Sequence, residues 1–235
     1  MYAVLLTAAA ALLASGCDDA GGLASAGKTP MAEGPVRLWP ELPPVTAPPN
    51  DYGETDTQRV PGIKAPGDDV HQLDPVAVVQ AEANAHPDTY TGADGLYEET
   101  VAQLAACKEK PRSCPVMRPY YRDLTGDGRD ELIIGIRLPE QQTAVRCYTP
   151  EEGGLTRIMS TSDQLVSVDL AGKDVILRSV SAGIPGYEYR TAWSWDEQQR
   201  AMLPARDEIV RVKPSRSADP APAAEPAPAP EPDAS

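Results

Sequence analysis

The sequence predicts an α+β fold. Two N-terminal helices pack on an antiparallel β-meander of about seven to eight strands, and disordered tails flank the whole. Three observations predict this. Of 25 prolines, ten fall within residues 1–75 and seven within 214–235, so neither flank supports regular structure. Two stretches between residues 74 and 107 carry apolar residues at helical spacing. From Cys114 onward the pattern turns to period two, cut by Gly, Pro and Asp turns. Turns so closely spaced favour antiparallel strands over parallel crossovers.

The chain divides into four parts: an export signal over 1–16, a Pro-rich tether over 17–74, a globular domain over 75–213 and a Pro/Ala/Glu-rich tail over 214–235. Within the tether, Trp39 in Val36-Arg-Leu-Trp-Pro40 is the one apolar spot, read as an incidental hydrophobe rather than a docking point. Asp74-Pro75 opens the first helix, because Asp caps the end and Pro fills the first helical place. Val76, Val78, Val79 and Ala83 form its apolar side, and His86-Pro87 stops it. The second helix runs from about Leu96 to Cys107, with Leu96, Tyr97, Val101, Leu104 and Ala105 on one face. Glu98 and Glu99 suit its positive end.

The expected strands follow in order: Val116 to Arg122, Glu131 to Leu138, Ala144 to Thr149, Leu155 to Ser160, Leu165 to Leu170, Val175 to Val180, and Tyr187 to Trp195. Ala201 to Leu203 and Glu208 to Val212 finish the sheet. Tyr187 to Trp195 is the clearest strand: Tyr187, Tyr189, Thr191, Trp193 and Trp195 share one face. That face is expected to line the core. The functional alternative makes Trp193 and Trp195 an aromatic ledge for sugar rings.

The candidate ligand site is Asp123-Leu-Thr-Gly-Asp-Gly-Arg-Asp-Glu131. Asp123, Thr125 and Asp127 stand at alternate places, and calcium takes six to eight oxygens from such loops. Together with the carbonyl of Arg129 and the Glu131 carboxylate they form the candidate ligand set. An EF-hand needs an acid at the twelfth place, which here is Ile134. The early close at Glu131 instead resembles the short calcium loops of FG-GAP and VCBS-type β-repeats, with Thr125 where Asp or Asn is usual. The other reading of the same residues is an Asx-bonded turn without metal.

Met1 to Leu13 is apolar and too short to span a bilayer. The run Leu13-Ala-Ser-Gly-Cys17 resembles a bacterial lipobox, which makes Cys17 the lipid-bearing residue. A diacylglyceryl group on Cys17 would hold the mature chain on the outer face of the cell membrane. Cys107, Cys114 and Cys147 then remain in an oxidising compartment. Cys107 to Cys114 closes the shortest loop, turned by Pro111 and Pro115, and is the favoured pairing; pairing either with Cys147 would instead tie the helix or first strand to the sheet.

Net charge is −14. Residues 76–213 hold 21 acids against 16 bases, so the flanks carry most of the acidity. Nucleic acid is not an expected partner, because it demands a basic footprint. No Gly-x-Ser-x-Gly elbow or His-Glu-x-x-His helix occurs in the sequence. The two histidines, His71 and His86, fall in or beside loops. The chain is expected to act without catalysis.

The lipobox, the Pro-rich tether, Leu124-Thr-Gly-Asp-Gly-Arg-Asp-Glu-Leu132, Leu155-Thr-Arg-Ile-Met159, Gly186-Tyr-Glu-Tyr-Arg-Thr-Ala-Trp-Ser-Trp195 and Asp207-Glu-Ile-Val-Arg-Val212 together resemble the actinomycete envelope-stress lipoproteins of the CseA type. The likeness covers roughly residues 95–213. It implies an accessory lipoprotein that restrains a sensor kinase and response regulator controlling an extracytoplasmic-function sigma factor. The partner would be the outer domain of that kinase or a cell-wall component. The resemblance supplies no catalytic residues. The alternative is a calcium-stabilised cell-wall or glycan-binding module.

Overall fold

A computed structural model describes residues 34–42, 57–87, 95–181 and 183–212. Cys17, the export signal and the tail over 214–235 lie outside the described residues. Ten strands form two antiparallel sheets. The first holds β2 (Gln58–Arg59), β3 (Tyr120–Arg122), β4 (Glu131–Arg137), β5 (Thr143–Glu151) and β6 (Gly154–Asp163), in the order β2-β6-β5-β4-β3. The second holds β1 (Val36–Leu38), β7 (Leu165–Ala171), β8 (Asp174–Val180), β9 (Tyr187–Asp196) and β10 (Ala201–Arg211), in the order β1-β7-β8-β9-β10. Helices α1 (Pro75–Ala85) and α2 (Glu98–Ala105) complete the α+β body.

The single meander of seven to eight strands is thereby corrected to two four-strand meanders, each with one short early strand at an edge. They join at Gln164, the one residue between β6 and β7. No Gly or Pro marks this passage, so the chain changes sheets where sequence reading sees only another short turn. The last two expected strands are also one: β10 runs through Pro204 with a bulge between Pro204 and Arg206. Proline is tolerated there because β10 is an edge strand.

Burial follows from the layering. One apolar cluster lies between the sheets and includes Ile133, Val145, Cys147, Val168, Val175 and Trp193. A second, with Val78, Val79, Leu104, Leu132, Ile134, Ile136 and Tyr148, lies between the first sheet and the helices. Alternate residues of β4 therefore enter different clusters. A strand covered on both faces needs apolar side chains at every place, which explains the unbroken run Leu132-Ile-Ile-Gly-Ile136.

Much of the expected tether belongs to this body. Residues 34–42 and 57–74 are folded onto it, and Trp39 is fully buried in the inter-sheet core. The indole donates its Nε1–H to the Arg118 carbonyl at 2.9 Å and meets Tyr120 edge-on. Gly135 makes room: a Cβ there would lie 2.9 Å from Trp39 Cζ2 and Met117 Sδ. Proline density hid these contacts, since β1 and β2 need only three and two residues to pair with β7 and β6.

Candidate functional site

The acidic loop joins β3 to β4, and most of its carboxylate bonds are made within the loop, while Asp130 meets His71 at 3.0 Å. Asp123 accepts from the Gly126 amide at 2.5 Å and the Gly128 amide at 3.2 Å. Asp127 accepts from the Arg129 amide at 2.8 Å and pairs with its guanidinium at 2.6 Å. Arg129 also reaches Asp68 at 3.0 Å. Glu131 is fully buried. Its Oε2 takes the Leu124 and Thr125 amides at 2.6 and 3.0 Å. Its Oε1 takes the hydroxyls of Thr149 at 3.1 Å and Thr125 at 3.4 Å.

This is a poor fit to calcium. Of the candidate ligands Asp123, Thr125, Asp127, Arg129 and Glu131, the three carboxylates are already engaged by protein donors, and among the described residues no three His, Cys, Asp or Glu side chains group so as to hold a metal. Asp123 points at amides, Asp127 at a guanidinium, and Glu131 inward. The arrangement matches the Asx-bonded turn. Gly126 and Gly128 take φ of +86° and +87°, where an L side chain is strained.

The electrostatics follow this geometry. Burial pushes the Glu131 carboxyl above its ordinary range despite the amides of Thr125 and Leu124. The Arg129 hydrogen bond holds Asp127 below it.

The two candidate tryptophans separate. Trp193 is buried in the core, whereas Trp195 is half-buried and packs at its margin. Trp195 joins Thr125, Asp127, Arg129, Glu151 and Arg200 around an open cleft of about 640 Å³. A second cleft of about 390 Å³ opens beside β10, over Tyr189, Thr191 and Trp193.

Cys107 and Cys114 are bonded to each other, between α2 and the first sheet. Cys147 is a free thiol, fully buried, and burial pushes its pKa far up. The remaining thiol therefore serves as a small apolar residue.

Sequence reasoning missed a buried ionic cluster. Glu82 of α1 faces Arg146 of β5 and Arg157 of β6, and all three are at most 2% exposed. Arg157 Nη1 lies 2.6 Å from Glu82 Oε1, Arg146 pairs with Oε2, and the Tyr148 hydroxyl donates to Oε2 at 2.7 Å. Burial pushes the Glu82 carboxyl up, but the two guanidiniums and Tyr148 outweigh it and hold the pKa below its ordinary value. The signal was present: Glu82 lies on the α1 side that carries Val78 and Val79, and Arg146 and Arg157 interrupt apolar strands.

No protein-family model, curated protein or solved structure matches this chain.

Proposed function

We propose that this protein is a lipid-anchored, extracytoplasmic modulator that holds down a sensor kinase/response regulator pair governing an envelope-stress sigma factor, and that it acts by contact. The segments named above as resembling CseA-type lipoproteins motivate the regulatory part. The observation that carries the reading is the disulfide between Cys107 and Cys114, a bond favoured in oxidising, exported compartments. It agrees with the address read from Leu13-Ala-Ser-Gly-Cys17. Deleting the protein should raise basal transcription from an envelope-stress reporter. Wild type should restore it, and Cys17→Ala should not. An unchanged reporter on deletion would refute the regulatory role.

A second reading is a wall- or glycan-binding module. Trp195 favours it, because an aromatic face beside carboxylates and arginines suits a sugar ring and its hydroxyls. Retention on purified peptidoglycan, lost in Trp195→Ala, would support this reading; equal retention of both proteins would remove it.

A further inference from the structure

Among the described residues, the second sheet ends on β10, which has no neighbour on its outer side. It is by far the longest edge strand in the described structure. The other edges, β1, β2 and β3, have two or three residues each. Its last part carries three of the five exposed large hydrophobic residues among those described: Ile209 is 55%, Val210 39% and Val212 37% exposed. An open apolar edge of this length is a template for another strand.

The direction of its main-chain groups follows from the neighbouring ladder. The Ser181 amide donates to the Tyr187 carbonyl at 3.0 Å, so Tyr187 points toward β8. Its partner across β9–β10 is Arg211. Arg211 must then point its N–H and C=O away from β9, and by strand alternation so must Ile209 and Asp207. The Val212 amide, which donates inward to the Gly186 carbonyl at 2.8 Å, has the opposite phase, as alternation requires.

We infer that β10 is a two-fold interface, on which a second copy of this chain adds its own β10 antiparallel, centred on Ile209. In that register Ile209 faces its own copy and Asp207 faces Arg211 of the other chain, twice by symmetry. Each of these pairs exchanges main-chain hydrogen bonds, because all three residues point outward. Their side chains share one face, that of Tyr187, Tyr189 and Thr191, so the ionic partners stand directly opposite.

Neighbouring registers are less well matched. Centring on Glu208 or Arg211 sets like charges against each other, centring on Asp207 sets that carboxylate against its own copy between two Arg206–Glu208 pairs, and centring on Val210 forms no opposite-charge pair within the described strand. Charges on an edge strand commonly prevent pairing. Here the register centred on Ile209 pairs opposite charges with no like charges opposed, which favours a second copy as occupant. The inference does not rest on the regulatory reading.

Sedimentation equilibrium of the full chain, from about 1 to 500 µM, tests this, since one strand edge buries less than a standard interface and binds weakly. Wild type should dimerise reversibly. Asp207→Arg alone, and Arg211→Asp alone, should each raise the dissociation constant about tenfold or more. The double variant Asp207→Arg/Arg211→Asp should restore it. Both side chains are exposed, and thermal melts would verify that each variant folds as wild type does. A wild-type monomer throughout would overturn the inference and leave the edge to a strand of another protein. A dimer indifferent to the single reversals, or one not recovered in the double variant, would overturn it too.

Discussion

Glu82 and Glu131 are both shielded from water, at 2% and 0% exposure, yet their charges are met in different ways. Glu82 sits between two guanidiniums carried on β5 and β6. The Glu131 oxygens instead take two amides and two hydroxyls, mostly from its own loop. The difference reaches the pKa. The arginines outweigh burial at Glu82 and lower it, whereas amides and hydroxyls do not outweigh burial at Glu131, which is raised. A formal counter-charge offsets desolvation where dipoles alone fall short. The two sites also join different parts. Glu82 pins a helix to a sheet across 64 and 75 residues of chain, and Glu131 closes a turn seven residues long.

The largest effect should come from breaking the long-range site. Glu82→Ala leaves Arg146 and Arg157 buried without the carboxylate between them, and should cost about 3–5 kcal/mol in denaturant unfolding. Loss of less than about 1 kcal/mol would mean that the guanidiniums find solvent or other acceptors. Replacing all three residues by apolar ones of similar size should recover most of the loss, because a buried ion cluster adds little net stability over good apolar packing. What the ions then contribute is the placement of α1.

The short-range site should respond less, and differently to chemistry. Glu131→Ala strands the Leu124 and Thr125 amides and should cost about 2–3 kcal/mol. Glu131→Gln should be milder, at about 1 kcal/mol, since one amide oxygen still accepts both N–H groups. Glu82→Gln has no such relief, because it removes the charge that both arginines face. Equal costs for the two glutamine variants would erase the distinction.

The pH dependence of unfolding should separate the sites by sign. At Glu82 the folded pKa is below the ordinary 4.5, so its contribution is present above pH 4.5 and is lost as pH falls through the folded value. At Glu131 the folded pKa lies above 4.5. Its contribution is present below that pH and is lost as pH rises through the folded value. Glu82→Gln should therefore flatten the acid limb of a stability–pH curve, and Glu131→Gln should steepen it. The same slope for both variants would show that one direction is misassigned.

The two sites were also unequally legible. Every hydrogen-bond partner of the Glu131 carboxylate, apart from Thr149, lies within seven residues, so spacing alone marked the loop. It left metal and turn as alternatives because both use the same side chains. Glu82 stands on the apolar side of α1, but its partners come from strands whose register against α1 no local pattern specifies. The fold divides likewise. Helix limits and strand alternation are local, and α1 begins at Pro75 behind the Asp74 cap as expected. The second sheet, the seating of Trp39 and the use of residues 57–74 depend on which faces meet, and that is settled by packing across the chain.

The smallest expected effect sharpens the loop's side of the comparison. If its dipoles already serve in place of a cation, added calcium has little left to bind. Asp127 would first have to give up Arg129, and Asp123 the two amides that shape the turn. A ligand present at 100 times its dissociation constant adds about 2.7 kcal/mol, which for a domain of this size raises Tm by about 5–10 °C. Melts in millimolar calcium and in chelator should instead coincide for the wild type. Asp127→Ala should shift the midpoint by no more than about 1 kcal/mol, because its ion pair with Arg129 is exposed and screened. A calcium-dependent rise of several degrees, abolished in Asp127→Ala, would mean that the loop reopens around metal. The self-bonded turn would then be only its metal-free form.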